Sequence, residues 1–158
     1  MPLHPNGIID GATFNQQTML LVEDIEDDVL IMQTAFQSAK LPNPLQVVND
    51  GERAIAYLKG EGTYADRKRY PLPVVILLDL NMPKMNGFEV LEWLRAQPVL
   101  KRISVYILTS SARSLDVERA FDLGANSYLV KPGKFDELVQ LLKTLHGYAR
   151  FAAFPVLG

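Results

Sequence analysis

The chain contains no cysteine among its 158 residues. That excludes disulfides, thiolate catalysis and Cys-ligated zinc or iron–sulfur centres, and it fits a reducing cytoplasm. An excess of one charge is also missing: 16 basic residues face 18 acidic ones, for a formal net charge of −2. A nucleic-acid partner would call for a basic stripe that displaces counterions from phosphates, so none is expected. No apolar run approaches the ~20 residues of a membrane helix. The N-terminus lacks the basic start and apolar stretch of a signal peptide, so no membrane partner is expected either. The two histidines, His4 and His146, lie far apart and are assigned no role. What remains is an ordinary apolar share of 48%, enough for one soluble domain with a real core.

Met1 to Gln17 carries Pro2, Pro5, Gly7 and Gly11 and reads as a flexible N-terminal tail. From there the chain alternates. Thr18 to Val22, Leu45 to Val48, Val74 to Leu78, Ser104 to Leu108 and Ser127 to Val130 are short apolar runs bounded by charge or turn residues, the pattern of buried strands. Val74 to Leu78 is apolar at every position, as a central parallel strand should be. Between the runs, apolar residues recur at spacings of three and four over Glu26 to Ala39, Glu52 to Lys59, Gly87 to Ala96, Leu115 to Leu123 and Lys134 to Tyr148. Ser114 is expected to cap the fourth of these helices and Gly124 to stop it. The loop from Gly60 to Pro73 holds Arg67, Lys68 and Arg69, which read as a solvated basic cluster. Strands alternating with helices predict an α/β fold: a five-stranded parallel sheet with helices on both faces, over residues 18–148. Residues 149–158 form a C-terminal tail.

In such a sheet, ligands bind outside the carboxyl ends of the strands. The residues just past the predicted strands are Glu23 and Asp24, then Asp79, then Thr109 and Ser110, then Lys131. Carboxylates gathered at one rim repel, by about 4 kcal/mol for two charges ~4 Å apart at an effective dielectric near 20. A divalent cation relieves that repulsion, and an all-oxygen donor set points to Mg²⁺ rather than zinc. Such an ion would also neutralise charge in phosphoryl transfer, where Lys131 offers an ammonium and Thr109 a hydroxyl. Taken singly, each feature has a plainer reading. Glu23 and Asp24 would cap a helix, Asp79 would form a turn, Lys131 would be a surface cation, and Tyr128 would be a core aromatic. It is their coincidence at one rim that favours the site.

From Thr18 to Tyr148 the sequence resembles the CheY-like receiver domains of two-component response regulators. The resemblance rests on L-V-E-D at Leu21 to Asp24, D-L-N-M-P at Asp79 to Pro83 followed by Gly87, L-T-S at Leu108 to Ser110, and Y-L-V-K-P at Tyr128 to Pro132. It implies Asp79 as phosphoacceptor. The metal ligands it implies are Asp24, Asp79 and the Asn81 backbone carbonyl, with Glu23 acting mostly through metal-bound water. Lys131 is expected to pair with Asp79 and then with its phosphoryl group, which the backbone N–H groups near Asn81 and Ser110 would also contact. Thr109 would move to the phosphoryl oxygen and Tyr128 would turn inward behind it. Glu23 stands where Asp is more frequent, and Ser110 where Ala is. The long loop, the E-D-x-x-D-D start and the aromatic tail resemble the stand-alone receivers that partner bacterial and cyanobacterial phytochrome histidine kinases.

The expected function is a response regulator that takes a phosphoryl group from a sensor histidine kinase and signals to a downstream phosphotransfer or target protein. Only ~10 residues follow the last helix, too few for a DNA-binding output domain. An aspartyl-phosphate phosphatase would carry a second Asp two residues after the nucleophile. Asn81 holds that position, so the only catalysis expected is of its own phosphorylation and slow dephosphorylation, with Asn81 and Ser111 placed to influence the attacking water. A phosphorylation-independent scaffold of the same fold is the alternative. Phe151, Phe154 and Val156 suggest a homodimer through the last helix and tail.

Overall fold

A computed structural model describes residues 7–157. Its centre is a parallel sheet of β2 (Met19–Val22), β3 (Leu45–Val48), β4 (Val75–Leu78), β5 (Ser104–Thr109) and β6 (Ser127–Val130), in the order β3-β2-β4-β5-β6. Counted from its first strand, the order is the doubly wound, flavodoxin-like 2-1-3-4-5, with its topological switch beside β2 and β4. Both of those strands are buried along their whole length. Alternate side chains therefore enter two separate cores. Leu20, Val22, Ile76 and Leu78 meet α3 (Gly51–Lys59), α4 (Gly87–Arg95) and α5 (Ser114–Asp122) on one face. Met19, Leu21, Val75 and Leu77 meet α2 (Glu26–Ser38) and α6 (Phe135–Ala149) on the other.

Helix ends follow local chemistry. Asp50 accepts from the Arg53 N–H at 2.7 Å to open α3, and Asn86 accepts from the Glu89 N–H at 3.0 Å to open α4. Gly124 follows α5 at φ +99°, a left-handed turn that suits glycine. Ser114 does not cap α5: it is the first helical residue, and Arg113 before it makes no side-chain cap bond. The preceding turn is held instead through Ser111.

Three further readings need correction. The presumed N-terminal tail is built from residue 8 onward, whereas residues 1–6, with His4, lie outside the described residues. β1 (Ile8–Ile9) pairs antiparallel with β7 (Phe154–Pro155), and Asp10 caps the short α1 (Gly11–Phe14). Phe14 stacks on Phe154 at 5.3 Å, and His146 Nε2 lies 2.6 Å from Asn15 Oδ1. The segments 8–15 and 154–155 thus close over α6, and Phe154, expected to be an exposed interface residue, is 6% exposed in the core. In the Gly60 to Pro73 loop, Arg67 is half-buried rather than solvated. Its guanidinium donates to the Tyr57 and Leu58 carbonyls at 2.7 and 2.8 Å, at the end of α3.

Candidate phosphoacceptor and metal site

Strand register assembles the site. Val22 and Leu78 are direct partners across β2 and β4, so Glu23, Asp24 and Asp79 leave the sheet side by side. Thr109 and Val130 are partners across β5 and β6, which places Lys131 beside Thr109, with its N–H donating to the Thr109 carbonyl at 2.7 Å. Glu23, Asp79 and Thr109 are buried, at 1%, 6% and 0% exposure.

Glu23, Asp24 and Asp79 each bring a carboxylate oxygen to within 4.8 Å of the others. Asp24 Oδ1 is buried with no hydrogen-bond partner. A buried, unsatisfied carboxylate oxygen is costly, and a hard cation bound by oxygen ligands would satisfy it. The donor set therefore fits the divalent ion expected from the sequence. Burial pushes the Glu23 carboxyl above its ordinary value; Lys131 opposes that shift and Asp79 adds to it.

Lys131 departs from expectation. Its ammonium meets Glu23 Oε2 at 2.6 Å and Asp28 Oδ2 at 3.5 Å rather than Asp79. The reason is burial: an enclosed Glu23 carboxylate needs a partner, and among the described residues Lys131 is the cation within reach. Burial works against the Lys131 charge, but the Glu23 hydrogen bond and the charges of Asp79, Glu23 and Asp28 together hold its pKa above the usual value. Asp28, in the first turn of α2, is thus part of the site. Its place in the first turn of α2, just beyond the two strand-end acids, was the available signal.

Around Asp79 the contacts are long. The Asn81 N–H donates to Asp79 Oδ1 at 3.4 Å, and Asn81 Nδ2 donates to Thr109 Oγ1 at 3.5 Å. Ser110 is exposed at the end of β5. The Tyr128 hydroxyl donates to the Ser111 carbonyl at 2.9 Å. Burial raises the Tyr128 pKa, the Ser111 bond opposes that, and the nearby Asp116 and Asp79 charges add to it. Gly87 is the other residue whose part was unread. A Cβ there would run into the Asp79 backbone carbonyl and come within 2.9 Å of Leu80 Cα.

Residues 19–143 match the model of the response regulator receiver domain family. The chain is 35% identical over 132 residues to the response regulator Rcp1 of Synechocystis, covering 84% of this chain and 88% of that one. The crystal structure of the phosphorylated cyanobacterial phytochrome response regulator RcpA superposes with a TM-score of 0.77 at 36% identity, covering 85% of this chain and 94% of that one. The Mn²⁺-bound form of Rcp1 does so with a TM-score of 0.77 at 33% identity, covering 89% and 99%. The motifs at the strand ends, the 2-1-3-4-5 sheet and this match over most of its length lead to one conclusion: the chain belongs to the response regulator receiver domain family, with the CheY-like fold.

Proposed function

We propose that this protein is a response regulator that accepts a phosphoryl group from a sensor histidine kinase of the phytochrome type onto Asp79, with Mg²⁺ as its ion, in the cytoplasm. The observation that carries the reading is the unsatisfied Asp24 Oδ1 beside Glu23 and Asp79, at the switch point of the sheet. The similarity to phytochrome response regulators supports the kinase class, and the Mn²⁺-bound relative supports a divalent ion. Bound there, Mg²⁺ would neutralise phosphoryl oxygens. Glu23, Asp24, Asp79 and the Asn81 carbonyl would hold it.

An Asp79 carboxylate oxygen forms the new P–O bond as the bond from phosphorus to the kinase histidine breaks. Lys131 then exchanges Glu23 for the phosphoryl group, a move of charge within a shared cluster. Thr109 supplies its hydroxyl to a phosphoryl oxygen, and backbone N–H groups at Asn81 and Ser110 add donors. The added charge of about −1.5 to −2 then biases the β5–α5 turn that Tyr128 holds. The protein catalyses no reaction beyond its own phosphorylation and slow dephosphorylation. Among the described residues no helix is long and apolar enough to cross a membrane.

A homodimer through α6 and the tail belongs to the same proposal. Phe151 is 87% exposed beside a recess lined by Tyr106, Leu145, Tyr148 and Phe154. Sedimentation of Phe151→Ser should show a loss of dimer; an unchanged profile removes this part. The function itself is tested by transfer of a labelled phosphoryl group from an autophosphorylated phytochrome-type histidine kinase. Label is expected on the wild type and not on Asp79→Asn. Equal labelling of both would refute the assignment of the acceptor.

A further inference from the structure

Ser111 lies half-buried in the turn between β5 and α5, and all of its polar groups are engaged. Its N–H faces Thr109 Oγ1 at 3.5 Å, and its carbonyl accepts the Tyr128 hydroxyl at 2.9 Å. Its hydroxyl donates to Asp116 Oδ2 at 2.6 Å and accepts from the Arg113 N–H at 3.3 Å. These contacts differ in stiffness. At 3.5 Å a hydrogen bond is weak and easily stretched, whereas a hydroxyl-to-carboxylate bond at 2.6 Å is charge-assisted and roughly twice as strong as a neutral one.

Ser111 is therefore held loosely toward the acceptor site and tightly toward α5. Asp116 lies in the first turn of α5, and Arg113 at the cap position contributes no side-chain bond. The Ser111–Asp116 contact is then the polar side-chain tie between the turn and the helix start. Thr109 is itself two contacts from the acceptor, through Asn81. A displacement of Thr109 reaches Ser111 next, and Ser111 cannot shift without carrying Asp116 or breaking the shortest bond in the chain of contacts.

We propose that Asp116 is a positioning residue of the switch: it locks Ser111 to α5, so that movement of Thr109 toward a phosphorylated Asp79 reaches α5 as a rigid displacement. The proposal rests on the receiver reading given above. It concerns transmission only, and leaves acceptance of the phosphoryl group to Asp79.

The test compares the full chain with and without acetyl phosphate and Mg²⁺ by amide hydrogen exchange, with intact mass giving the phosphoryl occupancy of each sample. The proteins are wild type, Asp116→Ala, Asp116→Asn, Ser111→Ala, Ser111→Thr and the Ser111→Ala/Asp116→Ala double variant. At matched occupancy, wild type and Ser111→Thr should change exchange both in the 109–113 turn and through α5. In Asp116→Ala and Ser111→Ala the α5 response should fall about tenfold, as expected for losing one bond to a charged group, while the turn still responds. Asp116→Asn keeps the shape without the charge and should lie between them. The double variant should lose no more than either single one. A wild-type α5 response in Asp116→Ala, or additive losses in the double variant, would overturn the proposal. No phosphoryl adduct on any of the proteins, wild type included, would overturn the proposed phosphoacceptor function itself, and this proposal with it.

Discussion

The Lys131 ammonium sits 2.6 Å from Glu23 Oε2, and the Glu23 side chain is 1% exposed. This pair holds the resting site together: the cation that should serve a phosphoryl group at Asp79 meanwhile neutralises an enclosed acid. Removing the cation should leave Glu23 unpaired. Lys131→Ala is expected to cost about 1.5–3 kcal/mol at neutral pH, the range for a hydrogen bond to a charged group. The Glu23 pKa is raised by burial, so in the folded state this group takes up its proton at a higher pH than in the unfolded chain. The stability from that proton is present below the ordinary carboxylate range and is lost as pH rises through the folded value. The deficit of Lys131→Ala should therefore shrink in mild acid. Urea melts of both proteins across that range check it; a deficit that grows on acidification would contradict the pairing.

Gly87 lies against the backbone of Asp79, the proposed acceptor. A methyl group there meets the Asp79 carbonyl and Leu80 Cα, both main chain, which cannot swing aside. Gly87→Ala is expected to destabilise by about 1–3 kcal/mol, as overpacking does, and to slow phosphorylation by moving Asp79. Thermal melts and acetyl phosphate labelling rates test both effects. A variant as stable and as quickly labelled as wild type would show that the loop has slack.

Tyr57 is fully buried and donates its hydroxyl to the Pro71 carbonyl at 2.7 Å. Burial raises its pKa from 10.0 to about 12, against the nearby charge of Arg67. An acid raised in this way gives stability that is complete below pH ~10 and is lost as pH climbs toward the folded value. Wild type should lose stability over that interval more steeply than Tyr57→Phe. Parallel alkaline profiles for the two would contradict the burial of this hydroxyl.

The terminal clasp depends on Phe154, which stacks on Phe14. Phe154→Ala should cost about 3–5 kcal/mol, as other large-to-small core substitutions do, and should free the backbone of α1. Hydrogen exchange over residues 8–17 is the readout. Unchanged protection there would mean that the N-terminal segment holds without its partner.

The sheet was legible because each strand is short, apolar and bounded by charge, and because the acids, the hydroxyl and the lysine fall at strand ends. Val75–Leu78 was read within one residue of its observed start. The clasp was not legible. Ile8–Ile9 is too short to show a period, and its partner Phe154 lies far along the chain. Nor could spacing reveal where Lys131 points, since Glu23, Asp28 and Asp79 all lie near its ammonium and burial decides among them. Ser111 and Asp116 were invisible as a pair for a similar reason: a loop hydroxyl and a first-turn acid carry no pattern until the turn brings them together.

Asp79 is proposed as an ion-dependent phosphoacceptor. Intact mass after incubation with acetyl phosphate and Mg²⁺ tests it most directly, on wild type and on Asp79→Asn. One hydroxylamine-labile phosphoryl adduct is predicted on the wild type, absent from Asp79→Asn and absent when Mg²⁺ is removed by chelation. A well-folded wild type that takes no adduct, under conditions that label another receiver, would contradict the claim and leave a scaffold of receiver fold as the better account.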